Sequence, residues 1–152
     1  MFYQLTLGSI VISLAVVVQA GFIVAATNWL PEVTKWIAKG QRTARSGLIV
    51  ILGTLWLLLA HSVAVWMWAF TFMWIEAFET FEPALYFSLV SFTTLGFGDI
   101  ILPVETRLLS GLAAANGLIA FGLSTAFLVE FLLQIRKNHQ RDNEATHNGP
   151  EG

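Results

Sequence analysis

The sequence predicts an all-α membrane protein with three spanning helices and one short re-entrant helix. Three observations carry that prediction. Of 152 residues, 56% are hydrophobic and 12% charged, about half the charged share of a soluble domain. Three apolar runs each exceed the roughly 20 residues that a helix needs to cross a bilayer. A fourth apolar run is too short to cross and leads into a glycine-rich loop.

The first span occupies 1–30, with its apolar run from about Leu5 to Leu30 and no Lys, Arg, Asp or Glu within it. A signal peptide needs a basic segment ahead of a shorter apolar core, so a retained helix is expected. Residues 31–46 form a basic loop with Lys35, Lys39, Arg42 and Arg45 against Glu32. The second span covers 47–75 and the third 107–135, each long enough to cross with tilt. The polar segment 136–152 reads as a disordered tail. Between the last two spans, Pro83 to Thr93 is a run of 11 residues, or about 16 Å of helix. That is half a bilayer. Pro83 suits a first helical position, where its missing N–H costs nothing. Irregular backbone after a half-helix survives at membrane depth only inside protein or along a wet cavity.

Charge sets the orientation. Basic loops stay in the cytoplasm, and Arg136, Lys137 and Arg141 follow the third span. The connection around the short helix instead carries Glu76, Glu79, Glu82, Asp99 and Glu105 against Arg107. The N-terminus is therefore expected outside and the C-terminus inside, in the plasma membrane. With no cysteine there is no disulfide framework or thiolate metal site. A net charge of −2 argues against a nucleic-acid partner. No acid pair, nucleophile with base or phosphate loop marks an enzyme, and no cofactor is called for.

The chemistry lies in "TTLGFGD", Thr93 to Asp99. A strand alternates its carbonyls, so a row of carbonyls facing one way needs left-handed angles at alternate residues. Glycine takes such angles freely, and Gly96 and Gly98 are spaced to supply them. Leu95 and Phe97 would then turn away and pack against the half-helix. The oxygens of Thr94, Leu95, Gly96 and Phe97 would replace the hydration shell of a bare cation. One chain supplies one wall, so a symmetric homo-oligomer is implied.

This motif resembles the selectivity filter of the tetrameric potassium channels, whose usual form is T-V-G-Y-G-D. The resemblance extends over about Ala84 to Phe131, with short helix, filter, mouth and inner helix in family order. It implies a pore domain over 47–135, with outer helix 47–75, pore helix 83–93, filter 94–99 and inner helix 107–135. The helix before residue 31 would be a peripheral addition. By the same resemblance Thr94 supplies the innermost site through hydroxyl and carbonyl, Leu95, Gly96 and Phe97 supply carbonyls, and Gly98 closes the outer end. Thr93 stands where the pore helix ends. Gly117, in "GLIAFGL", matches a gating hinge, and Phe121 and Thr125 match positions that line the cavity.

Two positions depart from the family pattern. Leu95 replaces valine, and Phe97 replaces tyrosine and lacks the hydroxyl that ties many filters to their pore helix. Tyr86 stands where a tryptophan often bonds the aspartate after the filter, so its phenol is expected on Asp99. Glu130, near the end of the third span, is a functional candidate because ionisable groups in spans are rare. A ring of four at the inner mouth is one reading, a glutamate reaching interfacial water the other. Asn116 is expected to bond the pore helix or glue helices together, and His61 to bond a neighbouring helix. "WMWAFTFMW", Trp66 to Trp74, reads as an interfacial aromatic belt.

The function these residues imply is passive, potassium-selective conduction through a homotetramer in the lipid bilayer, with K⁺ as permeant ligand. Two rivals stay open. One is a pore of the same architecture passing both Na⁺ and K⁺; the other is a non-conducting membrane scaffold or regulatory subunit.

Overall fold

In the computed structural model the backbone is described for residues 1–37 and 42–147, and side chains for 1–29, 47–48 and 50–133. Four helices follow one another: α1 (Phe2–Ile37), α2 (Arg42–Trp74), α3 (Phe81–Phe92) and α4 (Leu108–His147). No strand occurs among the described residues. Three helices contain apolar stretches long enough to cross a membrane, Phe2–Trp29, Val50–Trp74 and Leu108–Leu133. The protein is a multi-pass membrane protein, and α3 is its half-length helix.

The helix ends differ from the expected bounds in instructive ways. α1 runs past Pro31 to Ile37, and α2 begins at Arg42, so helix covers most of the segment expected as a basic loop. The remainder, 38–41, lies outside the described residues. α4 continues to His147 through a stretch expected to be disordered; residues 148–152 lie outside the description. Extending an existing helix skips the unfavourable nucleation step, and Lys, Gln, Arg, Glu and Ala are all good helix formers. α3 begins two residues before Pro83, with Thr80 at its N-cap. Pro83 is therefore the third helical residue, where its missing N–H still costs nothing because the first four lack intrahelical partners.

α2 stops at a left-handed residue. Glu76 has φ 56°, Ala77 N–H donates to Phe72 carbonyl at 3.0 Å and Glu76 N–H to Met73 carbonyl at 3.0 Å. This pair of bonds is the Schellman closure, here made with glutamate where glycine is usual.

The main core joins all four helices. Val11 and Ala15 of α1, Ala64, Val65, Trp68 and Phe72 of α2, Phe87 and Phe92 of α3, and Leu109, Ala113 and Ala120 of α4 pack together. Small residues let helix backbones approach closely, which is what helix association in lipid rewards. Aromatic edges fill the rest. Phe72 meets Phe87 nearly edge-on at 5.2 Å and lies 5.8 Å from Trp68.

The aromatic run of α2 therefore is not one belt. Trp66 is 54% exposed and Trp74 78%, whereas Trp68 and Phe72 are 0% exposed. A helix turns about 100° per residue, which puts positions 66, 70 and 74 on one face and 68 and 72 on another. The first set faces outward; the second builds the core.

α1 is tied by side-chain hydrogen bonds to both α2 and α4. Gln4 is buried and its Oε1 accepts the N–H of Leu108 at 3.1 Å. A first-turn amide of α4, left without an intrahelical partner, is thus capped from another helix. Trp56 Nε1 donates to the Phe22 carbonyl at 2.8 Å, and Gly8 leaves room for the side chain of Leu112.

Candidate ion-conducting loop

α3 ends by passing its free carbonyls to the chain that follows. Thr93 N–H donates to Leu89, Thr94 N–H to Ser91, and Leu95 and Gly96 N–H both to Val90, at 2.9–3.3 Å. The Thr93 hydroxyl also turns back to the Leu89 carbonyl, at 2.8 Å. The loop's first residues are stapled to the helix end, and much of the partial negative charge at that terminus is met by backbone amides.

Through and beyond the staple the backbone alternates. Thr94 has φ 59°, Gly96 φ 53° and Gly98 φ 77°. Every second residue is left-handed, as a one-sided row of carbonyls requires. The glycines accept this without cost, but Thr94 does not. A non-glycine residue in this region carries about 1–3 kcal/mol of strain. The motif's glycine spacing identified two of these positions; the third, on a β-branched residue, carries no sequence signal.

Leu95 and Phe97, expected to pack against the half-helix, are 57% and 65% exposed in the isolated chain, while the Leu95 N–H is held by the Val90 carbonyl at the helix end. Thr93 to Asp99 are all exposed in the single subunit. At the far end of the loop Tyr86 and Asp99 meet as expected: the phenol donates to Oδ2 at 2.6 Å. That hydrogen bond, with a smaller contribution from desolvation, raises the pKa of the phenol.

α4 supports the loop from behind. Gly117 is buried, and a methyl group there would fall on the carbonyl of Phe92. The structure places this glycine at a close helix contact, on an unbroken stretch of α4. Phe121 lies 5.7 Å from the Phe92 ring and 4.8 Å from that of His61. Thr125, one turn on, turns its hydroxyl to the Phe121 carbonyl at 2.9 Å. Phe121 and Thr125 share an exposed stripe of α4. Glu130, also exposed and engaged in an interaction of its own, is five residues further, about 140° around the helix. One straight stripe cannot hold all three. Asn116 is buried, but neither of its amide atoms has a hydrogen-bond partner among the described residues, so the expected bond to α3 is not made.

His61 does bond a neighbouring helix. Its Nε2 lies 3.0 Å from the Ser124 hydroxyl, which also receives the amide of Gln19 at 2.8 Å. Gln4 and Gln19 are partners that sequence reasoning passed over, because polar residues in an apolar run show no mark of what they face. Among the described residues no cluster of His, Cys, Asp or Glu could hold a metal ion.

The family described as "Ion channel" matches residues 48–134, more than half of the chain. The chain belongs to the ion channel family. No curated protein and no solved structure matches it significantly. The family region takes in nearly all of the second span, α3, the loop and the third span; α1 lies outside it. In this channel module the second and third spans embrace a half-helix whose end feeds the alternating loop.

Proposed function

We propose that the protein is a potassium-selective channel in which four copies surround one axis and the carbonyls of Thr94, Leu95, Gly96 and Phe97 coordinate dehydrated K⁺. The observation that carries this reading is the run of left-handed angles at Thr94, Gly96 and Gly98. Such an alternation turns successive carbonyls to one side, where they stand in for water around a cation. Gly98 closes the outer end, and the Tyr86–Asp99 bond braces it. The exposure of Leu95 and Phe97 supports the assembly, because two large apolar side chains at the motif need neighbours to cover them. Ions move in single file through the plasma membrane, with the N-terminus outside and the C-terminus inside.

The test is reconstitution. Purified protein in liposomes is expected to pass K⁺ well above Na⁺, giving reversal potentials that follow the K⁺ gradient in paired solutions. Gly96→Ala is expected to abolish the flux. Equal flux in both proteins would remove the loop as the conduction path, and equal K⁺ and Na⁺ permeability would leave a non-selective cation channel.

A further inference from the structure

Helical serines and threonines in this protein commonly turn their hydroxyls back to their own helix. Ser13, Ser62, Ser88 and Thr125 each donate to the carbonyl four residues earlier, at 2.7–2.9 Å. Ser124 is different. It is buried, and two side chains from two other helices meet its hydroxyl: Gln19 Nε2 of α1 at 2.8 Å and His61 Nε2 of α2 at 3.0 Å. A hydroxyl has one hydrogen to give. With one lone pair taken by the Gln19 N–H, the Ser124 hydrogen is free to point at the ring nitrogen. Bonds in such a chain strengthen one another.

We propose that Gln19 is a positioning residue of the pore, acting through Ser124 on His61. The relay runs Gln19 N–H to Ser124 oxygen, then Ser124 O–H to His61 Nε2, so the neutral ring carries its proton on Nδ1. His61 is in turn one contact of α2 with the parts that shape the pore. Its ring lies 4.8 Å from Phe121 on the inner helix and 6.2 Å from Phe92, the last residue of α3. Phe92 is also the residue whose carbonyl rests on Gly117. Through three side chains α1, which lies outside the family region, holds the ring that wedges between inner helix and pore-helix end. The consequence for conduction rests on the channel reading above; the state of the His61 ring does not.

The test joins a spectroscopic readout to flux. In full-length protein carrying ¹⁵N-histidine in lipid nanodiscs, imidazole shifts distinguish a bare nitrogen from a protonated one, and His61→Gln assigns the signal. The wild type with neutral His61 is expected to show a bare Nε2. Gln19→Glu reverses the relay: the carboxylate accepts from Ser124, which then accepts from His61, and Nε2 becomes protonated. Gln19→Leu and Ser124→Ala are both expected to lose the single-tautomer signal. Each is expected to change K⁺ efflux from liposomes by about tenfold, the size of one buried hydrogen bond. Ser124→Ala leaves α1 untouched, so a folding failure of the Gln19 variants does not decide the matter. The same tautomer in all proteins overturns the proposal, as does a changed tautomer with unchanged flux. If the tautomers change as expected but the wild type passes no K⁺, the relay is supported and the conduction reading fails instead.

Discussion

The phenol of Tyr86 donates to the carboxylate of Asp99 across 2.6 Å, tying the middle of α3 to the last residue of the Thr93–Asp99 motif. Thirteen residues separate the two in the chain, so this bond closes a loop whose intervening backbone is left-handed at three positions. With Phe97 lacking a hydroxyl of its own, this side-chain bond is the clasp on the loop.

Tyr86→Phe removes the clasp and leaves the ring. Faster inactivation in single-channel or macroscopic recordings is the expected outcome, and unchanged kinetics would refute the role. The clasp also has a pH signature. Hydrogen bonding to Asp99 raises the Tyr86 pKa, so its contribution is complete below the ordinary phenol range near 10 and is lost as pH rises through the higher folded value. The contribution of the clasp should be flat through neutral pH and fall under strongly alkaline conditions.

Gly117→Ala should damage the protein through contact before any question of hinge motion arises. The added carbon meets the Phe92 carbonyl, which is backbone and cannot step aside, whereas Gly122 has open space around it. A loss of about 1–3 kcal/mol, typical of overpacking, is expected at Gly117 and little change for Gly122→Ala. Thermal unfolding in detergent with a measurement of assembly size separates the two. If Gly117→Ala retains wild-type stability, the close contact is wrong.

Glu76→Gly should stabilise. The position is left-handed at φ 56° and closes α2, and glycine enters that region without the steric penalty of other residues. A gain of about 1 kcal/mol is expected, read as a raised unfolding temperature. A loss would mean the glutamate side chain has a role in the mouth that outweighs its backbone strain.

The two tryptophans two positions apart on α2 should behave oppositely. Trp68 is 0% exposed and packs against Phe72, whereas Trp66 is 54% exposed. Trp68→Ala should cost about 3–5 kcal/mol, as large core truncations do. Trp66→Ala should stay within about 0.5 kcal/mol, as surface changes do. Parallel denaturation of both variants checks this, and similar losses would contradict the facing of α2.

The amino-acid sequence alone determined the three spans, the half-length helix and the loop, since run lengths and glycine spacing answer to bilayer thickness and backbone sterics. It also identified Gly96 and Gly98 as left-handed, and the pairing of Tyr86 with Asp99 through the resemblance. Only the tertiary structure decided that Thr94 joins them, that Trp68 is core while Trp66 is not, and that Gly117 is a contact point. It alone revealed that Gln4 and Gln19 bind α4. These depend on which face of one helix meets which face of another. In a span apolar on every side, the residue pattern holds no stripe from which to read the facing.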